Sequence, residues 1–569
     1  MNSIFSMTRT GRACALALLL ALAGALAPGA RAREPLADQA WWQHAVIYEI
    51  YVRSFQDSNG DGIGDLKGIT QRLDYLKELG VDAIWLTPFF PSPNFDFGYD
   101  VSDYTDVSPE YGSLADWDEL VRAADRRGIR ILVDFVLNHT SDQHAWFRAA
   151  RAARDNPKRD WYVWRKGSSD GGPPNHWQSI FGGPAWTFDP ASGEWYYHIF
   201  LPQQPDVNWN NPQLRAAMFD VTRFWLRRGA AGFRLDATPY LVEDPAFPDD
   251  PHPESGPPVW LKPYNSGRPE THEVLRQLRA VLGGFAGDPV LLGESATANI
   301  AELAAVYGKN HDEIQLPMNF LIGNLHTLDA PTFKREIDDA QTKLDGQTPV
   351  FFFSSHDHSR QWSAFGDGTH NDQIAKLTAT LTLAPRGTAL LYYGEEIGMG
   401  DLPRAELAQA TIGPKRPRAD ERDRARTPMQ WTGASGVDFS SAPAWLPAAR
   451  TATAYNVAAE RADPDSILHW YAALIRLRHE DAAFASGSYL PLETGNAQTL
   501  AFARLGPEGH GAVVALNASA QEQQLHITGL PARAQLQDVM LSSPAAHAPV
   551  GATLTLAPYG VAIVRLGAP

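Results

Sequence analysis

The chain has 569 residues, 44% hydrophobic and 20% charged, a globular composition whose length implies two or three domains or one barrel with insertions. Its 65 acidic residues outnumber 49 basic ones, giving a net charge of −16 and a pI near 5.5. With no basic cluster beyond the N-terminus, nucleic acid is excluded as a partner, and the acidity serves solubility.

Residues 1–32 read as a secretory signal peptide: Arg9 and Arg12 precede a short apolar run at 13–26, and Ala30-Arg31-Ala32 fits small-residue cleavage. Export to the periplasm or medium is expected, with no membrane attachment after cleavage. Cys14, the only cysteine, would leave with this segment, so the mature chain would hold no disulfide.

Residues 45–55 read as a first strand. After it, Asp57, Asn59, Asp61 and Asp65 place oxygens at alternate positions among glycines, a set suited to a hard cation such as Ca²⁺. The run begins like an EF-hand loop, but its twelfth position is Gly68 and a strand precedes it. An ion-free Asx-rich turn is the alternative. Leu66, Ile69, Leu73, Leu76 and Leu79 then recur at helical spacing until Gly80. A strand at 83–90, a helix at 113–128 and a strand at 131–137 continue a β-α-β order. From 140 to 211 that rhythm breaks into Gly, Pro and Trp with short strand-like pieces such as 195–200, too long for a simple loop. Further strands are expected at 232–236, 290–294, 348–357 and 387–397, and a helix at 466–480. Alternating patterns at 511–517 and 553–555 then indicate an antiparallel β domain.

Four of the apolar runs, 131–138, 232–236, 290–294 and 350–357, end in polar, chemically capable residues. Strands of a (β/α)₈ barrel fill a packed core while the loops after them build the active site, so these groups can meet there. Arg234 and Asp236 lie two apart and project from one side, where a guanidinium would keep the carboxylate ionised as a nucleophile. Glu294 follows Leu291-Leu292-Gly293, an apolar setting that would raise its pKa and suit a general acid. Such a pair is what glycoside hydrolysis requires; taken singly, each could be a structural ion pair.

In order and spacing, Asp134-Phe135-Val136-Leu137-Asn138-His139, Gly232-Phe233-Arg234-Leu235-Asp236, Gly293-Glu294 and His356-Asp357 resemble the four signature regions of the α-amylase superfamily, glycoside hydrolase family 13. Gln204-Pro205-Asp206-Val207-Asn208 is similar to the extra region of its α-glucosidase and oligo-1,6-glucosidase branch. The resemblance implies an α/β fold, a (β/α)₈ TIM barrel with a B domain inserted after the third strand and a C-terminal antiparallel β domain. The expected boundaries are 33–140 and 212–482 for the barrel, 141–211 for the insert and 483–569 for the β domain.

By the same resemblance, Asp236, Glu294 and Asp357 are catalytic. Asp96, Tyr99, His139, Arg234, His356, Arg422 and Arg426 would bind the terminal glucose, with Phe200 and Gln204 contacting sugar from the insert. The Ile63 carbonyl would join Asp57, Asn59, Asp61 and Asp65 around a structural ion, Ca²⁺ or Mg²⁺, with no organic cofactor. Ala237 leans toward α-1,4 bonds, because branch members cleaving α-1,6 bonds tend to have Val there. Ser355 stands where the family usually has Asn, which leaves the placement of His356 open. His356-Asp357-His358 lacks the further ligands of a zinc site. Residues 241–268 are expected to be a substrate-side loop.

The resulting expectation is a retaining, exo-acting α-glucosidase on short maltooligosaccharides, its carboxyl groups about 5 to 5.5 Å apart, working as a monomer or homodimer. Rival readings are a glucosyl transferase or trehalose synthase-like isomerase, suggested by Pro269-Glu270-Thr271-His272, and an oligo-1,6-glucosidase. From another class comes a non-catalytic transporter chaperone, which would lack the carboxylates present here.

Overall fold

Eight short parallel strands close around the core in the computed structural model, which describes residues 40–249, 263–407, 421–507 and 510–567. The expected signal segment, with Cys14, lies outside the described residues. The strands are β1 Val46–Ile50, β2 Ala83–Leu86, β3 Arg130–Phe135, β4 Gly232–Leu235, β5 Val290–Gly293, β6 Leu316–Pro317, β7 Val350–Phe351 and β8 Thr388–Tyr392. Their order is β7-β8-β1-β2-β3-β4-β5-β6, and a parallel bridge from Met318 to Val350 joins the two ends.

Alternate side chains explain the continuous apolar runs. Ile47, Trp85, Leu132, Leu292, Leu316, Val350 and Leu390 fill the barrel interior, while Val46, Tyr48, Ile84, Val133, Phe233 and Leu291 face the surrounding helices. Both faces are buried, so neither can be polar. The connecting helices follow from local chemistry. Helix Leu66–Leu79 starts where the Asp65 carboxylate accepts the Gly68 amide at 2.7 Å, a cap worth about 1 kcal/mol, and stops at Gly80 with φ 95. Its buried face is the leucine and isoleucine stripe seen in the sequence.

Several elements are shorter than their apolar runs. The first ends at Ile50, and Val52–Phe55 winds into a helical turn. Only Val350–Phe351 pairs in the run expected at 348–357; the chain then leaves the sheet and turns at His356-Asp357. The two-residue β6 was not foreseen.

The insert after β3 holds a three-stranded antiparallel sheet, Trp164–Arg165, Glu194–Tyr197 and Trp186–Asp189, with 194–197 in the middle. Its return segment runs beside the end of β3: His139 bridges Asp206, and the Val207 amide donates to the Asn138 carbonyl at 3.0 Å. The loop after β4 leans on this insert. Phe247 packs on Trp177 and Trp186, and Trp177 donates to the Pro248 carbonyl at 2.9 Å; residues 250–262 of the expected substrate-side loop lie outside the described residues.

Past helix Ile467–Glu480, a five-stranded antiparallel sheet and a two-stranded ribbon form the C-terminal domain. Fully buried Arg504 fastens it, donating to the carbonyls of Ala384, Phe484 and Gly487 at 2.9 to 3.0 Å. Among the described residues no helix is long and apolar enough to cross a membrane.

Candidate active site

The C-terminal ends of the barrel strands open into a cavity of about 610 Å³, a size usual for small-molecule sites. At its floor, Arg234 on β4 is shared. One nitrogen, Nη1, donates to Asp134 at 3.1 Å and to Asp236 at 2.7 Å, and Nη2 donates to Glu294 at 2.6 Å. Three carboxylates from β3, β4 and the end of β5 thus surround one guanidinium.

Sharing changes two of the expectations. Burial pushes the Asp236 carboxyl well above its ordinary value; Arg234 pulls it down, and the Glu294 and Asp134 carboxylates add to the rise. A private guanidinium would have kept it ionised, but this one is divided. Nor is the setting of Glu294 apolar: its Oε2 accepts from Arg234 and from the Ala237 amide at 3.1 Å, and its side chain is 29% exposed. Both acceptor contacts come from the segment that carries Asp236, so the pair is set as a unit.

Toward β1, β2, β7 and β8 the cavity is locked by charge. Arg422 donates to Asp96 at 2.7 Å and to Asp357 at 3.3 Å, and Arg426 to Asp357 at 2.9 Å. Buried His356 lies between two carboxylates, with Nδ1 2.6 Å from Glu49 and Nε2 3.0 Å from Asp357. Burial acts to lower its pKa, but Asp357 and Glu49 override that and raise it to about 9. Asp357 is held well below the usual carboxylate range: burial opposes this, and His356, Arg422 and Arg426 prevail.

Ser355 bonds the flanking Asp357 amide rather than the His356 ring. The fully buried Glu49 on β1 holds that ring, also accepting the His356 amide at 3.1 Å. Glu49 escaped the sequence reading. Its signal was a lone carboxylate inside the apolar run Val46-Ile47-Tyr48-Glu49-Ile50, which cannot be buried without a partner.

Tyr99 donates to Asp134 at 2.9 Å, and its ring lies flat on His356 with centroids 5.3 Å apart. His139, lowered to about 4 by burial and hence neutral, bonds through Nε2 to the Tyr99 carbonyl at 3.0 Å. Gln204 donates to Asp96 at 3.3 Å. Phe200 packs on His139 and, edge-on, on Tyr240, and lines the cavity with Ala237, whose backbone is left-handed at φ 51.

The adjoining flank, after β5, β6 and β7, is built by Phe320, Asn324 and His326, which sequence reasoning missed, and by His358, weighed there only as a zinc ligand. They carry no signature and lie on loops whose register the sequence does not specify.

The Asp57–Asp65 loop stands apart. Asp57 accepts the amides of Asn59, Gly60 and Gly62 and the Ser440 hydroxyl; Asn59 accepts the Asp61 amide, Asp61 the Ile63 amide, and Asp65 the Ser58 hydroxyl and amide. Burial acts to raise Asp57, and those donors outweigh it, holding it below its ordinary value. Among the described residues no group of three or more His, Cys, Asp and Glu is placed to hold a metal. The donor set itself, three carboxylates with an amide and a carbonyl, fits a hard cation.

A charge-bridged carboxylate pair at the mouth of a (β/α)₈ barrel defines a glycoside hydrolase site. Residues 49–487 match the α-amylase catalytic domain family, and the chain belongs to it. It is 37% identical over 493 residues to an oligo-1,6-glucosidase of Parageobacillus thermoglucosidasius, covering 79% of this chain and 86% of that protein. To an α-glucosidase of Culex pipiens it is 38% identical over 571 residues, 96% of this chain and 94% of the relative. Among solved structures, the trehalulose synthase MutB from Pseudomonas mesoacidophila MX-45 aligns with a TM-score of 0.84 at 35% identity, covering 93% of this chain and all of that one.

Proposed function

We propose that this chain is an exo-acting, retaining α-glucosidase that releases glucose from the non-reducing end of maltose and short α-1,4-linked oligosaccharides. The observation that carries it is Arg234 holding Asp236 and Glu294 together in a cavity whose far end Arg422 ties shut between Asp96 and Asp357. A through-running chain has no path past that tie, and a single terminal glucose fills it.

In the retaining mechanism Asp236 is the nucleophile and Glu294 the proton donor. Asp236 attacks the anomeric carbon; the carbon–oxygen bond breaks and its electron pair takes the Glu294 proton with the departing sugar. Glu294, now a carboxylate, takes a proton from water, whose oxygen attacks the same carbon and returns Asp236 to the charged state. Asp96, Tyr99, His139, Asp357 and Arg422, which line the cavity, hold the glucose hydroxyls, with Phe200 and Gln204 bordering the ring, while buried His356 and Arg426 fix Asp357 from behind. A positively charged His356 keeps Asp357 ionised beside the oxocarbenium-like transition state.

Product NMR tests this. With maltose, the first product is expected to be α-glucose; first-formed β-glucose would exclude the retaining mechanism, and no turnover of any glucoside would exclude an enzyme. A second reading, transfer of glucose to another hydroxyl, draws support from the structural likeness to a trehalulose synthase. Isomers accumulating in place of glucose would establish it.

Export in a form cleaved near residue 32 completes the reading, supported by the composition of 1–32. So does a Ca²⁺ or Mg²⁺ held by Asp57, Asn59, Asp61, Asp65 and the Ile63 carbonyl, supported by the donor chemistry. The ion would neutralise carboxylates on a loop that no disulfide braces.

A further inference from the structure

We propose that Ser355 is a positioning residue that fixes His358 and Asn324 as the wall receiving the leaving-group sugar. The inference rests on the α-glucosidase reading and concerns the half of the site where the departing sugar lies.

The strand order places that half. Glu294, which protonates the leaving oxygen, follows β5; Asn324 follows β6, and His358 follows β7. These are consecutive around the barrel, on the flank away from Asp96 and His139, which follow β2 and β3. Asn324 and His358 both line the cavity.

Between them runs a directed chain of hydrogen bonds. The Asp357 amide donates to Ser355 Oγ at 3.2 Å, and Ser355 Oγ lies 2.8 Å from His358 Nδ1. His358 Nε2 lies 3.2 Å from Asn324 Oδ1. Burial lowers the His358 pKa; Asp357 and Glu294 oppose it, and His356 and His326 add to it, so the ring is neutral at neutral pH. A neutral imidazole has one N–H, and an amide oxygen can only accept. The proton is therefore on Nε2, donating to Asn324, and the Ser355 hydroxyl donates to Nδ1. Asn324 Oδ1 is thereby occupied, and its NH₂ group is turned free to donate to a sugar hydroxyl.

Two rings steady the arrangement. Phe320 lies 5.8 Å from His358 at 40°, and Phe352 meets it edge-on at 6.3 Å. The flank thus offers the Phe320 ring and the Asn324 amide donor, which match a C–H face and a hydroxyl of a second sugar. A flat aromatic leaving group with no hydroxyls has no use for the amide.

Comparing kcat/KM for maltose and for p-nitrophenyl α-glucoside, in the wild type and in Ser355→Ala, Ser355→Thr and Asn324→Ala, tests the assignment. Ser355→Ala, which also removes the acceptor of the Asp357 amide, is expected to lower both rates and to cost about tenfold more on maltose than on the aryl glucoside, the scale of one hydrogen bond. Asn324→Ala, an exposed position whose truncation spares the fold, is expected to repeat that selective loss, and Ser355→Thr, which keeps the hydroxyl, to restore it. Equal losses on both substrates, or none on either, would overturn the inference while leaving the enzyme reading intact. A wild type that turns over neither substrate would sink the glucosidase reading itself.

Discussion

The two ends of the cavity are made differently. At the glucose end, Asp96, Arg422, Asp357, Arg426, His356 and Glu49 form an unbroken run of ion pairs, mostly buried. Beside it, His358, Asn324 and Phe320 meet through neutral hydrogen bonds and ring contacts. Charges withdrawn from water are costly unless every one is paired in fixed geometry, so the first end is rigid and suited to one sugar. The second can exchange partners at little cost and suits variety in what is cleaved off.

The most severe way to break the comparison is at the shared guanidinium. Asp236→Asn removes the nucleophile, and kcat is expected to fall by about 10⁴-fold or more on every substrate, read by glucose release. Next comes the charged end. His356, raised to about 9 from 6.5, stays cationic through neutral pH, so the alkaline limb of kcat/KM is expected near 9. Glu49→Gln should move that limb down by about one unit and so cost about twofold at pH 8. The sign for stability follows. A folded pKa raised above the unfolded one gives stabilisation complete below about 6.5 and lost as pH rises through about 9. Equilibrium unfolding across that window should show the loss, and Glu49→Gln should flatten it.

The neutral end is sharpened by Ala237→Val. A β-branched residue is disfavoured at φ 51, so the unfolding midpoint is expected to drop by about 2 °C, while the isomaltose-to-maltose ratio of kcat/KM rises severalfold. An unchanged ratio would remove Ala237 from linkage choice. The smallest effect belongs to a loop outside both ends. Chelation should lower the unfolding midpoint by about 2 °C and leave KM for maltose unchanged. A change in KM would tie the Asp57 loop to the cavity.

Much of this could be read from residues alone. Runs such as Val290-Leu291-Leu292-Gly293 are apolar throughout because both strand faces are buried, and the polar groups after them had nowhere to be but the open end. The helix 66–79 carried its own start and stop in Asp65 and Gly80. What stayed hidden was partnership. Spacing shows Arg234 beside Asp236, but not that Asp134 and Glu294 arrive from neighbouring strands to divide the same cation. Glu49 and His356, 307 positions apart, meet only because β1 and β8 are adjacent and β7 follows in the ring. Pro317 and the two-residue β6 lack the length that marks a strand.

The tie between Asp96, Arg422 and Asp357 has a kinetic consequence. A sugar cleaved behind its leaving group cannot depart first. The aglycone must clear the entrance, water must follow it in, and glucose comes out last through the door by which the substrate entered. Glucose therefore competes with each incoming substrate, and every cut ends the encounter: the enzyme shortens chains by repeated visits, never by walking along one.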